Sequence, residues 1–240
     1  MIPYIPVLFI LACYLILGML ISYFYSNHDR NQLYQVFHRY LPPQVMEEVM
    51  SNTENIQLGG TEKNVAVLFI DIRGFTGYSQ LHPPQEVVKL LNSYLKLFSD
   101  IIFSYNGTLD KYLGDGLMAV FGAPLEGDDD LERAYNAALD ILEKVNGEEK
   151  LSLPVGIGLA YGPVISGNIG SETRMDFTVI GDTVNRASRL EGLAGPYELV
   201  TTGQVGDLLD IKEKVSKEEV TLKGLKGKEV IYRLWRGGTQ

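Results

Sequence analysis

Two aspartates and a lysine carry the first chemical signal in the chain. Asp71 closes an almost unbroken apolar run, VAVLFID, and Asp115 lies in LDKYLGDGLM (109–118), which also holds Lys111. On a strand, positions 111, 113 and 115 share a face, and at about 3.3 Å per residue the outer two stand roughly 13 Å apart. Lys111 and Asp115 are too distant to pair, so each needs a different partner. A first strand lying beside this hairpin would bring Asp71 near Asp115. Two carboxylates about 4 Å apart repel by roughly 4 kcal/mol at an effective dielectric of about 20, a penalty a divalent cation removes. Oxygen donors with no suitably placed His or Cys favour Mg2+ or Mn2+. Two such ions, about 3.5–4 Å apart, suit the activation of a hydroxyl and the steadying of a phosphate leaving group. For an isolated Asp71, a helix N-cap or turn is the commoner role.

The second informative stretch is RMDFTVIGDTVNRASRLEG (174–192). Asn185 and Arg189 are four apart and share one helical face. Arginine suits charge spread over phosphate oxygens, and asparagine can orient a sugar hydroxyl; on a lone helix the same pair is ordinarily a solvated face. Asp182, following Gly181, reads as the N-cap of this helix.

Periodicity supplies the elements that must position these residues. Residues 65–70 read as a strand covered on both faces. Residues 85–105 carry Val88, Leu91, Leu95, Phe98 and Ile102 at helical spacing and end at Asn106-Gly107. A hairpin about Asp115-Gly116, a helix over 129–145, strands at 153–160 and 176–180, a helix over 183–193 and a last strand at 230–235 complete the series. Strand, helix, two strands, helix, strand is the order of a ferredoxin-like βαββαβ α+β sandwich, here with a C-terminal elaboration.

With 240 residues and 45% apolar content, one domain with a full core plus an appendage is expected. The net charge of −9 argues against nucleic acid as a partner, and an anionic substrate must bring its own cations. The single cysteine, Cys13, excludes a disulfide framework and a thiolate metal cluster. Residues 1–27 carry no charged side chain and suffice to cross about 30 Å of hydrocarbon as a transmembrane helix. Tyr4 at one end and Tyr23, Phe24 and Tyr25 at the other resemble interfacial belts, and Arg30 and Arg39 place the remainder in the cytoplasm of a single-pass membrane protein. Residues 28–52 read as a helical stalk with Leu33, Val36, Phe37, Tyr40 and Leu41 on one face; the stripe either pairs two chains or docks on its own domain. Turn-rich residues 53–64 read as a linker, and 65–240 as the working domain.

FIDIRGFT, LDKYLGDGLMAVFG, GPVISGNIGS and DFTVIGDTVNRASRLEG, in this order and spacing, closely resemble the catalytic domain of class III nucleotidyl cyclases. The resemblance runs from about Val65 to Leu234, and the Phe37–Met50 region looks like the transducer element that precedes such domains. It implies that Asp71 and Asp115 are the metal-binding aspartates, and that Ile72, Arg73, Gly74, Phe75 and Thr76 form the triphosphate-binding loop. It implies that Lys111 and Thr178 read the purine, Asn185 positions the ribose and Arg189 stabilises the transition state. Lys223 matches a phosphate-binding lysine, with Lys226 the alternative. In these enzymes the metal aspartates come from one domain and the purine and transition-state residues from the other, which implies a homodimer with shared active sites.

Adenine presents an acceptor at N1 and a donor at its 6-amino group, and guanine the reverse. Lys111 only donates and Thr178 can accept, so the pair suits ATP, although lysine alone also satisfies guanine O6. Guanylyl members characteristically carry Glu and Cys there, and the pair resembles the bacterial Thr-bearing adenylyl subtype. The expected activity is adenylyl cyclase; the alternatives are a guanylyl cyclase or a catalytically silent membrane-tethered signalling partner. A diguanylate cyclase would show a GGDEF-like hairpin where this chain reads LGDG. Arg186 departs from the smaller or apolar residue usual at its position.

Overall fold

The computed structural model describes residues 58–171, 173–211, 215–221 and 227–235, together with Tyr14 and Met19, both helical. Apart from those two positions, the expected membrane segment and stalk lie outside the described residues, as do Lys223 and Lys226. Among the described residues no helix is long and apolar enough to cross a membrane. The chain divides into two units, Met1–Glu47 and Glu48–Gln240, and the sheet lies wholly in the second.

The sheet is organised around β1 (Gly59–Ile72). Its side chains alternate: Ala66, Leu68, Ile70 and Ile72 enter one core cluster, and Val65 and Val67 another on the opposite face. Both faces are covered, as an unbroken apolar run requires. Behind the first face stand α2 (Pro84–Ser104) and α3 (Asp130–Gly147), which contribute Tyr94, Phe98, Ile102, Ala138, Ile141 and Leu142. Tyr94 extends the packing with a polar clamp: its hydroxyl donates to Leu153 O at 2.6 Å and accepts from Leu153 N at 2.7 Å. Behind the second face stands α4 (Asp182–Leu193), which buries Ala187 and Leu190.

β2 (Thr108–Leu113) and β3 (Gly116–Phe121) form a hairpin, and β4 (Val155–Ser171) flanks β1 on the other side. The order β2-β3-β1-β4, with every pair antiparallel, and the helices α2 and α3 between strands give the split βαββαβ arrangement expected of the sequence. A short helix, α1 (Phe75–Leu81), follows β1. The C-terminal elaboration adds β5 (Arg174–Ile180), paired with β4, and β6 (Glu198–Thr202), α5 (Gly203–Leu208), β7 (Val215–Val220) and β8 (Glu229–Trp235), which continue the sheet as β4-β6-β8-β7.

Four expectations are corrected. β1 starts at Gly59 rather than Val65, so half of the expected linker is strand: residues 59–63 pair with 164–168 of β4. β4 accordingly runs to Ser171, well past the expected end at Ala160. The hairpin turns on Gly114-Asp115, with Gly114 at φ 68, while Gly116 is already in β3; a positive φ at the first central residue is the other glycine solution to a two-residue loop. Asp182 is the first residue of α4 rather than its cap, and its carboxylate accepts from Arg186 Nε at 3.0 Å one turn on.

Close approach of α4 to the sheet depends on Gly158 of β4, where a Cβ would stand 2.2 Å from Glu191 N and 2.3 Å from Ala187 O. Both are helix backbone atoms that no rotamer change can move. Gly158→Ala is expected to lower stability by about 3 kcal/mol, the upper end of overpacking costs, read as a reduced urea midpoint with an unchanged m-value.

Candidate active site

β1 and β3 pair with Asp71 opposite Gly116, one residue from Asp115. The register therefore puts Asp71, at the end of a buried strand, next to the turn that carries Asp115, whose charge it feels. Asp71 has its pKa raised from 3.8 to about 6, first by burial, then by the charges of Asp115 and Glu191, with Arg73 opposing. Odd-numbered β1 residues face α4, so Asp71 points to the same side as Glu191 near that helix's end. Arg73 bridges the two: its NH1 lies 2.8 Å from Asp71 Oδ2 and 2.7 Å from Glu191 Oε1, and NH2 donates to the Glu191 carbonyl. Arg73 Nε is buried without a hydrogen-bond acceptor among the described residues.

The loop between β1 and α1 turns at Gly74, with φ 78. The Arg73 N–H donates to Pro154 O at 2.8 Å, which takes it out of any phosphate cradle formed by Ile72–Thr76. The N–H groups of Phe75 and Thr76, in the first turn of α1, lack intrahelical acceptors.

Lys111 and Thr178 meet directly, with Lys111 Nζ donating to Thr178 Oγ1 at 3.2 Å. Along the hydrogen-bonded order, β3, β1 and β4 separate β2 from β5. Four flat spacings of about 4.8 Å would hold these residues roughly 19 Å apart, so the contact requires the sheet to twist and coil strongly between them. Asp110 completes the cluster. Its Oδ2 accepts from Thr178 Oγ1 at 2.7 Å and its Oδ1 lies 3.1 Å from Lys111 Nζ. Regular alternation would aim residues 110 and 111 at opposite faces, but the β2–β3 register shifts between Leu109 and Lys111; this bulge lets both side chains reach the same hydroxyl.

Asn185 and Arg189 lie exposed on α4. Among the described residues neither side chain makes a hydrogen bond or ion pair to Asp71 or Asp115. Arg186 turns away from them to Asp182 and to Glu229, whose Oε1 lies 2.9 Å from NH1. The structure thus brings together Asp71 with Asp115, and Lys111 with Thr178, and leaves Asn185 and Arg189 open to solvent. Sequence reasoning missed Asp110, Glu191 and the side chain of Arg73; of these only Asp110, adjacent to Lys111 in LDKYLGDG, left a visible trace.

Residues 60–236 match the model of the adenylate and guanylate cyclase catalytic domain. The chain belongs to this family. It is 38% identical over 174 residues to an adenylate cyclase of Anabaena cylindrica, covering 67% of this chain and 34% of that one. It is 36% identical over 188 residues to an uncharacterised Mycobacterium tuberculosis protein, covering 78% and 34%. The chain therefore spans about a third of the length of these curated relatives. Among solved structures, the guanylyl cyclase Cya2 superposes with a TM-score of 0.66 at 33% identity, covering 75% of this chain and 96% of that one. The adenylyl cyclase CyaB from P. aeruginosa gives 0.66 at 31% identity, covering 75% and 98%. A cyclase of each kind fits equally well, so the choice of base rests on side chains and not on the fold.

The aspartate pair of the cyclase domain has a measurable signature. Because Asp71 keeps its proton to about pH 6, against 3.8 ordinarily, its ionisation opposes folding: the penalty is absent below about pH 4, grows as pH rises to about 6 and is complete above that. In chelator-treated protein, Asp71→Asn is expected to raise the apparent Tm near pH ~7.5 and to lose that gain below about pH 4. A gain independent of pH would contradict the shift.

Proposed function

We propose that this cyclase domain converts ATP to 3′,5′-cyclic AMP and pyrophosphate at sites shared by two identical chains, with residues 1–27 anchoring each chain in a membrane and the domain on its cytoplasmic side. The contact between Lys111 and Thr178 carries this reading: a lysine N–H faces an acceptor at purine N1, and a hydroxyl oxygen accepts from a 6-amino group.

The residues present fit a divalent cation. Burial first, and then the charges of Asp115 and Glu191, raise the pKa of Asp71 to about 6, and both aspartates offer hard oxygen donors. Among the described residues no group of three or more His, Cys, Asp or Glu could hold a metal ion, so the remaining ligands would be substrate phosphate oxygens and water, the usual arrangement for Mg2+. Mg2+ or Mn2+ bound by this pair supplies a lower pKa for the ribose 3′-hydroxyl and charge neutralisation at the phosphates. Arg73 is already held by Glu191 through side chain and main chain, so it keeps a partner when Asp71 turns to a cation.

In the proposed reaction the 3′-oxygen bonds to the α-phosphorus, the bond to the β-phosphate bridging oxygen breaks and the hydroxyl proton leaves. Arg189 offsets charge developing on the α-phosphate oxygens, Asn185 orients the ribose, and the Ile72–Thr76 loop with Lys223 receives the triphosphate. Asn185 and Arg189 are exposed and, among the described residues, their side chains make no hydrogen bond or ion pair, which supports a site completed by a second chain.

Mixing Asp71→Ala chains with Asn185→Ala chains tests both halves of the proposal. Each variant alone is expected to make no cyclic AMP from ATP and Mn2+. An equal mixture is expected to recover about a quarter of wild-type activity, since half of the dimers are mixed and each holds one intact site of two. A mixture as inactive as its parents would sink the shared site, and wild-type protein that makes no cyclic AMP would sink the activity.

A further inference from the structure

We infer that Asp110 is a positioning residue for base selection. By taking the Thr178 hydroxyl proton it fixes that oxygen as an acceptor, so that the site takes a purine with a donor at position 6 and rejects one with an acceptor there. The inference rests on the proposed role of Lys111 and Thr178 as the base-contacting pair.

A threonine hydroxyl has one proton and two lone pairs. Left to rotate, Thr178 would accept from an amino group or donate to a carbonyl with equal ease, and its presence would not discriminate between bases. Two neighbours remove that freedom. A carboxylate can only accept, so the 2.7 Å bond between Thr178 Oγ1 and Asp110 Oδ2 uses the hydroxyl proton. An ammonium can only donate, so the 3.2 Å bond from Lys111 Nζ uses one lone pair. One lone pair remains for a ligand.

The surroundings hold this polarity in place. Thr178 and the Asp110 side chain are buried, at 8% and 4% exposure, whereas Lys111 is 43% exposed and offers its remaining protons outward. Asp110 Oδ1 is buried with no hydrogen-bond partner among the described residues. It lies 3.1 Å from Lys111 Nζ, close enough for charge attraction but off the hydrogen-bonding angle. An ammonium has no lone pair, so Lys111 cannot accept the hydroxyl hydrogen in place of Asp110. With hypoxanthine or guanine in place of adenine, O6 would face an acceptor and the N1 proton would face a lysine N–H. Leaving buried polar groups so mismatched is the strongest discrimination a small site can make.

The test compares kcat/KM for ATP, inosine triphosphate and purine riboside triphosphate, the last lacking any group at position 6. Wild-type protein is expected to rank them ATP, then purine riboside, then inosine. Inosine triphosphate used as well as the purine riboside would overturn the inference, and this comparison requires no variant to fold. Asp110→Asn and Asp110→Ala are expected to lower the preference for ATP over inosine triphosphate by about tenfold or more, because the hydroxyl regains its freedom. In a Thr178→Val background Asp110→Asn is expected to leave that preference unchanged; an equal effect in both backgrounds would show that Asp110 acts by another route. Wild-type protein that prefers GTP would overturn the adenylyl reading itself. A wild-type preference for ATP that survives both Asp110 substitutions would overturn only the role of Asp110.

Discussion

The site depends on the antiparallel pairing of β1 with β3, which sets Asp71 opposite Gly116 and next to the turn that carries Asp115. β1 is buried on both faces, with Val65, Ala66, Val67 and Leu68 fully enclosed, so its end cannot drift to relieve the repulsion between the carboxylates. The charge is met locally instead. Arg73 holds Asp71 and Glu191 together, and Glu191 is itself fixed by α4, which approaches β4 at Gly158. Strand register, helix approach and the electrostatics of the pair are therefore one constraint: loosening α4 would move a charge that contributes, after burial and Asp115, to the raised pKa of Asp71.

The β2–β3 hairpin gives its two charges to different neighbourhoods. Asp115 raises the pKa of Asp71, while Lys111, a strand's length away, lies against Thr178. Among the described residues no hydrogen bond or ion pair joins the aspartates to Asn185 or Arg189. On the proposed reading this separation is the reason for two chains: one protomer contributes the aspartates, and the other the base-contacting pair and α4. A twofold axis then completes both sites at once from self-complementary surfaces.

Much of this was readable in the sequence because it rests on strong local signals. The apolar run ending in Asp71, the long amphipathic α2 and the alternation of strands with helices led to the βαββαβ core. The failures have physical causes. Gly162 and Pro163 are loop signals, yet β4 runs through them because β1 extends to pair there. Asp-Gly and Gly-Asp each satisfy a tight turn, and the chain used the second. Asp182 had the composition of a cap, but Arg186 four residues on competed for its carboxylate. Asp110 was invisible to alternation because a bulge, which no periodicity encodes, turns it to the side of Lys111.

The last step concerns what a residue type can tell about specificity. Lysine has a fixed polarity, but a hydroxyl does not, so on the proposed reading Lys111 and Thr178 alone leave the choice between purines only half made. What completes it, on that reading, is a third side chain, Asp110, that accepts the hydroxyl's hydrogen bond across the curved sheet. Such a device lies apart from the aspartates at the end of β1, and it acts on hydrogen-bond direction rather than on charge at the phosphates. The fold can therefore carry either base preference without disturbing the machinery for phosphate, which is why an adenylyl and a guanylyl cyclase superpose on this chain equally well.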